Sequence, residues 1–199
     1  MSTKLLILGL LMERDRHPYE IRQVIRERNW NVVFLIRDGS LYYAVDQMRD
    51  DGMIEAAEVI PVPGDNRPDK TVYRITEKGK AAFLKLLHAQ FEQTAYPQHP
   101  FFPALPFVRH GDSQKVAESA AKQLEACECR IERMNAVLEL KQQYLPRGSI
   151  HLMRGIIRFS EAERDWLKDV LADAESGGLE DAGMSFELLL KMQDEWKTK

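Results

Sequence analysis

Apolar positions along this 199-residue chain follow three patterns in turn, and each pattern predicts a different element. Leu5–Met12 (LLILGLLM) is a continuous apolar run stopped by Glu13-Arg14-Asp15-Arg16, which reads as a short buried helix. Pro18 suits the first turn of a second helix, in which Tyr19 or Ile21, Val24 or Ile25, and Arg28 are spaced for one buried stripe and one wet face. Trp30–Ile36 is aromatic and β-branched, so it extends that helix or forms a short strand. The next segment, Gly39–Ile54 (GSLYYAVDQMRDDGMI), predicts a firmly bounded third helix. Ser40 is expected as its N-cap and Gly52 as its left-handed C-cap; Leu41, Ala44, Val45 and Met48 point inward, and Tyr42, Tyr43, Asp46, Gln47 and Asp50 point outward.

The period then shortens. Met53–Pro61 and Lys70–Thr76 read as two strands around a tip, Pro63–Asp69, dense in turn formers. Thr76 can cap a further helix through Ala81, Phe83, Leu84, Leu87 and Phe91. Helix, helix, helix, hairpin, helix in about ninety residues is the order of a winged helix-turn-helix, here assigned to residues 1–92. Residues 93–112 form a connector rich in proline and aromatic residues, and residues 113–199 a helical domain. In the latter, Ala117, Ala120, Leu124, Cys127, Ile131, Met134, Leu138, Lys141 and Leu145 step by alternate threes and fours, a heptad seam. A second helix from about Ser149 to Ala174 offers Leu152, Ile156, Phe159, Trp166 and Val170. The two form an antiparallel hairpin, and the length of the seam calls for cover from a second copy of the chain. Met184–Trp196 predicts a last short amphipathic helix. The fold class is thus mainly α with a small β-hairpin: a winged helix-turn-helix followed by an antiparallel helical dimerisation domain.

Composition narrows the function more than the fold. At 44% hydrophobic residues the chain is a folded protein, and its short first helix, without a basic leader or cleavage site, neither spans a membrane nor directs export. Cys127 and Cys129, two apart in a helical pattern, suit neither a disulfide framework nor a zinc site, so the cytoplasm is the expected compartment, with no metal and no cofactor. The net charge is −3, yet residues 1–90 hold 14 Lys and Arg against 13 Asp and Glu, and the rest 14 against 18. That faint asymmetry is weak evidence for nucleic acid on its own. There is no glycine-rich phosphate loop, nucleophile elbow or HExxH helix, and the five histidines are scattered, so no enzyme is expected.

Three motifs in order carry a family likeness. Leu5–Leu11 followed by His17-Pro18-Tyr19-Glu20-Ile21, then Gly39-Ser40-Leu41-Tyr42 running to Gly52-Met53-Ile54, then Arg67-Pro68 and Lys70 leading to Tyr73-Arg74-Ile75-Thr76-Glu77 and Gly79, together resemble the PadR family of transcriptional regulators, in its longer subclass. The likeness covers residues 5–80. It implies a homodimer joined through its C-terminal helices that binds double-stranded DNA, a repressor on an inverted-repeat operator released by a small aromatic or phenolic effector. Carried over by position, it implies DNA contact from Ser40, Tyr42, Tyr43 and Gln47 on the third helix, from Arg22, Arg26 and Arg28 on the helix before it, and from Arg67 and Lys70 on the wing. The family often has Pro at the position of Tyr43 and Lys-Arg at Asp46-Gln47, so this face is less basic than the family's.

Two further sets of residues follow from the pattern. Trp30, Phe34, His99, Phe101, Phe102 and Phe107 either pack as plain core between domains or line an effector pocket. Leu124, Ile131, Met134, Leu138, Ile156, Phe159 and Trp166 are expected at the dimer interface. Asp46, Asp50 and Asp51 also admit a second reading, a winged-helix scaffold for protein partners that has given up sequence-specific DNA binding.

Overall fold

A computed structural model of the chain describes residues 3–61, 70–181 and 183, which fall into two compact units divided between Tyr96 and Pro97. The first unit begins with α1 (Thr3–Glu13), whose Ile7, Leu8, Leu10 and Leu11 are all buried, as befits a helix apolar on every side. α2 (Pro18–Glu27) is capped by His17, whose Nδ1 accepts the backbone N–H of Tyr19 at 3.1 Å, and it buries Ile21 and Ile25. A single helical turn, α3 (Trp30–Val33), resolves the ambiguous Trp30–Ile36 stretch in favour of helix. It closes on Leu35, which is left-handed at φ 52°, while the N–H of Ile36 reaches back to the Asn31 carbonyl at 3.0 Å.

The third predicted helix is α4 (Asp38–Asp50), and its inward set is the expected one: Leu41, Ala44, Val45 and Met48 are buried. Its start differs from expectation. The cap is Arg37, in extended backbone, and Ser40 lies inside the first turn with its hydroxyl donating to the Arg37 carbonyl at 2.6 Å. Asp38 explains the shift, because a carboxylate in the first turn suits the positive end of the helix dipole and α2 supplies two arginines to hold it there. At the other end Gly52 (φ 68°) takes the left-handed position, and the Met53 N–H closes on the Met48 carbonyl at 2.8 Å.

β1 (Ile54–Ile60) pairs antiparallel with β2 (Lys70–Ile75), with a bulge between Ala56 and Glu58. Only Ile54 of β1 is buried, whereas Tyr73 and Ile75 of β2 face the core. At the base of the hairpin Arg16 acts as one residue of a third strand, exchanging both backbone hydrogen bonds with Tyr73 at 3.0 Å. The Arg16 side chain is itself buried, its Nε donating to the Leu10 carbonyl at 3.2 Å and its guanidinium pairing with Glu13 at 2.6 Å. α5 (Glu77–Glu92) is capped as expected by Thr76, whose oxygen accepts the Gly79 N–H at 3.1 Å. Gly9 of α1 lies close enough to Phe83 of α5 that an added methyl would stand 3.3 Å from the ring.

The second unit is a helical hairpin with a folded leader. Residues 99–104 turn tightly into a 3-10 segment, Leu105–His110, and Asp112 then caps α6 (Ser113–Lys141) by accepting from Gln114 and Lys115. A 3-10 turn over Gln142–Tyr144 and Pro146 lead to α7 (Arg147–Ser176), ended by Gly177 in the left-handed region. Cys127, Ile131 and Met134 of α6 pack on Ile157 and Leu167 of α7. The α6 seam follows the heptad expectation through Ala120, Cys127, Ile131 and Met134. The α7 seam follows it at Val170 and otherwise shifts. Ile157, Ser160, Leu167, Val170 and Ala174 are its buried positions, and Phe159 is 79% exposed. Ser160 takes an inward place, fully buried, and its carbonyl accepts the Cys127 thiol at 3.0 Å. The wing tip with Arg67, and the helix expected over Met184–Trp196, lie outside the described residues.

Candidate nucleic-acid interface

α4 presents two tyrosines and a glutamine to solvent because its apolar positions repeat at helical spacing and leave them on the opposite face. Tyr42 is partly exposed and Tyr43 largely so. Tyr43 and Gln47 stand one turn apart, and the Gln47 amide donates to the Tyr43 hydroxyl at 2.9 Å, which fixes both side chains as one hydrogen-bonding pair. The two acids on this face are neutralised locally. Arg49 sits between them, 3.2 Å from Asp46 and 2.9 Å from Asp50, and Asp51 pairs with Lys4 at 3.5 Å. Arg49 was missed in the sequence, although its spacing of three from Asp46 on a helix was a legible signal.

At the start of α4 four predicted or neighbouring side chains converge. Asp38 accepts hydrogen bonds from Arg22 Nε at 3.0 Å and from Arg26 at 2.6 Å, and a terminal Arg22 nitrogen pairs with it at 2.9 Å. Arg22 also interacts with the Tyr42 hydroxyl, and these partners hold its guanidinium above the ordinary arginine range. Ser40 lies exposed within the same turn of helix. Arg37, exposed at the cap, escaped the sequence reading; it precedes the helix and breaks no pattern.

The other predicted contacts lie apart from this cluster. Arg28 binds Glu13 at 3.1 Å and stacks over the Trp30 ring at 4.9 Å. Arg28 and Arg16 together hold the Glu13 carboxyl below its usual range against the opposing effect of burial, the largest single influence on it. Lys70 is exposed at the first residue of β2, and Arg67 lies outside the described residues.

The predicted effector residues separate into two groups. Trp30 and Phe34 stack at 5.9 Å in the first unit, where Trp30 packs on the core. In the second unit His99, Phe101 and Phe102 surround Trp166 with ring centroids 4.7, 6.3 and 5.3 Å away. Phe107 is 68% exposed. The His99 Nδ1 accepts the Phe101 N–H at 3.1 Å, so its proton is on Nε2, which has no hydrogen-bond partner among the described residues and stands 3.6 Å from Glu163. Burial pushes the His99 pKa down, opposed by Glu163 and reinforced by Arg130, which is itself paired with Glu163 at 3.0 Å. Beside this cluster Phe101, Leu105, Val108 and Val116 wall an apolar cleft of about 280 Å³, with Asp112, Lys115 and Ser119 at its rim.

Of the residues expected between two copies, Ile131 and Met134 are buried by α7 of the same chain, and Leu124, Leu138, Ile156 and Trp166 pack half-buried against that core. Trp166 is further covered by the leader aromatics. All six thus pack in or against one chain's own core, and Phe159 alone of the set is exposed.

Comparison with known proteins agrees with this architecture. The structure superposes on crystal structures of Bacillus subtilis PadR in complex with operator DNA (TM-score 0.68, 18% identity, 86% of this chain and 98% of that one) and with p-coumaric acid (TM-score 0.67, 18% identity, the same coverage), a likeness of fold. An uncharacterized protein of Lysinibacillus sphaericus is 37% identical over 82 residues, spanning 41% of this chain and 72% of that protein. The model of the transcriptional regulator PadR-like family matches residues 7–85, the whole of the helix-turn-helix and wing. By that match and that relative, the chain belongs to the PadR-like family of transcriptional regulators.

Proposed function

We propose that this regulator binds double-stranded DNA with α4 in the major groove, as a homodimeric repressor on an inverted-repeat operator. The observation that carries the reading is the exposed face of α4, where the linked pair Tyr43–Gln47 is flanked by Arg22, Arg26 and Tyr42 at the helix start. A helix N-terminus and two guanidiniums attract phosphate, while the Gln47 amide has the donor and acceptor needed to read a base edge. Lys70 and the wing tip that carries Arg67 would add backbone contacts, as would Ser40, and Arg28 from the end of α2. The fold shared with B. subtilis PadR on operator DNA supports the same use of the element. Dimerisation would cover Phe159, Leu140 and Tyr144, large apolar side chains exposed on the α6–α7 hairpin. The proposed DNA binding fits the cytoplasm as its compartment. Among the described residues no helix is long and apolar enough to cross a membrane.

The effector is proposed to be a small aromatic molecule held in the second unit, in the cleft beside Phe101. B. subtilis PadR in complex with p-coumaric acid supports this class of ligand. The scaffold reading is the weaker one, because Asp46, Asp50 and Asp51 are each matched by a cation of the same unit.

Mobility shift with the DNA upstream of the protein's own reading frame, and with duplexes selected from a random pool, tests the proposal. A salt-sensitive, sequence-selective complex at a stoichiometry of two chains per site is expected, weakened by phenolic acids. Absence of any selective complex at every salt and effector concentration would overturn it in favour of the scaffold.

A further inference from the structure

The acid at the start of α4 has no counterpart in the list of DNA contacts, yet it occupies the centre of their geometry. One oxygen of Asp38 accepts hydrogen bonds from two guanidiniums, from Arg22 Nε at 3.0 Å and from a terminal Arg26 nitrogen at 2.6 Å, and a terminal Arg22 nitrogen lies 2.9 Å from the same oxygen. All three side chains keep access to solvent, at 44% for Asp38, 28% for Arg22 and 53% for Arg26. A phosphate oxygen is recognised by the same guanidinium donors. Next to it, Gly39 answers no internal need: its φ is not positive and a methyl group there would meet nothing within 4 Å, so the approach to this helix start is open.

Resting on the DNA-binding reading, we propose that Asp38 is a specificity-determining residue: its carboxylate stands in the place of a DNA phosphate and engages Arg22 and Arg26 until a correctly docked operator competes for them. Two unengaged arginines on a solvent face would contact the backbone of any duplex, and backbone contact carries no sequence information. With Asp38 in place, a phosphate must displace or share a bound oxygen. A register in which α4 also makes base contacts offsets that exchange, and a random duplex does not. The residue therefore lowers affinity for all DNA and lowers it most for the wrong DNA. A purely structural pin between α2 and α4 would do the opposite when removed, loosening the helix and weakening every complex.

The test compares the wild-type chain with Asp38→Asn, which keeps size and removes charge, and with Asp38→Ser, which keeps a residue favourable at a helix start. Each is titrated with a duplex selected by the wild-type protein from a random pool and with a scrambled duplex of equal length, across a salt series. Both variants are expected to bind the scrambled duplex at least about threefold more tightly, with a log–log salt slope steeper by about one, the change for one more phosphate neutralised. The ratio of selected to scrambled affinity falls, and Asp38→Glu restores it. Parallel weakening on both duplexes, or unchanged scrambled binding with an unchanged slope, overturns the inference and leaves a structural pin. A wild-type protein that binds no duplex selectively overturns the DNA-binding reading itself, a result distinct from either.

Discussion

Gly79 stands directly against the carbonyl of Met53: a methyl group on its α-carbon would overlap that oxygen and crowd the Ile75 side chain. The contact joins the first turn of α5 to the loop between α4 and β1, where Thr76 also donates to the Gly52 carbonyl at 2.8 Å. The start of α5 is thereby locked to the end of α4. Gly79→Ala is expected to destabilise the first unit by about 1–3 kcal/mol through overpacking, read as a fall in the chemical-denaturation midpoint. An unchanged midpoint would show that the loop yields freely.

Leu35 is an 85% exposed side chain in a left-handed backbone conformation, between α3 and α4. Nothing apolar repays the strain. Leu35→Gly is expected to leave the fold intact and to stabilise it by up to about 1 kcal/mol, the cost of a non-glycine residue in that region. A drop in melting temperature would mean that the leucine makes contacts in solution that offset the strain.

Gly39 lowers helix stability without an internal reason, since a Cβ there meets open space. Gly39→Ala should raise the stability of the free protein by about 0.5–1 kcal/mol. The same substitution should weaken the DNA complex, because the methyl group stands where backbone phosphate would approach. Equal DNA affinity with the expected gain in stability would remove Gly39 from the interface.

His99 gives the second unit a pH dependence of known sign. Burial lowers its pKa from the ordinary 6.5, so the folded unit favours the neutral ring. As pH falls below about 6.5 the unfolded chain takes up a proton that the folded chain refuses, and stability declines until the folded-state pKa is passed. Glu163 opposes the effect and Arg130 strengthens it. Fluorescence of Trp166, whose ring lies against His99, followed in denaturant titrations between pH 5 and 8 should show this decline, and His99→Gln should flatten it. The His17 pKa is also lowered by burial, so a decline confined to the first unit would assign the effect to His17 instead.

How far the chain could be read in advance depended on the kind of interaction. α4 was legible because its inward face and Gly52 cap are written in local spacing, and the hairpin because turn formers separate two β-rich runs. The start of α4 was not, since it is set by a carboxylate held from α2, sixteen residues away, and a serine two positions further on satisfies the local rule equally well. The inward face of α7 was misplaced for a related reason. Apolarity picked Phe159, whereas the inward place belongs to its neighbour Ser160, a small polar residue whose carbonyl meets the Cys127 thiol from the other helix. In the interface, the types Arg, Tyr and Gln were readable, and their partners were not: Asp38, Glu13 and Arg49 decide which cations and acids are already engaged. The expectation that the chain is not an enzyme agrees with its family, which regulates transcription.

The bridge from Arg16 to Tyr73 gives the wing two mechanical parts. Below the bulge at Ala56 and Glu58 the hairpin is three residues wide in hydrogen bonding and tied to α1 through the buried guanidinium, so it moves with the helices. Above the bulge β1 buries nothing. That outer half can be lengthened, shortened or bent without disturbing a core contact among the described residues, which makes it the part of the hairpin where sequence and length can change at least cost to the fold.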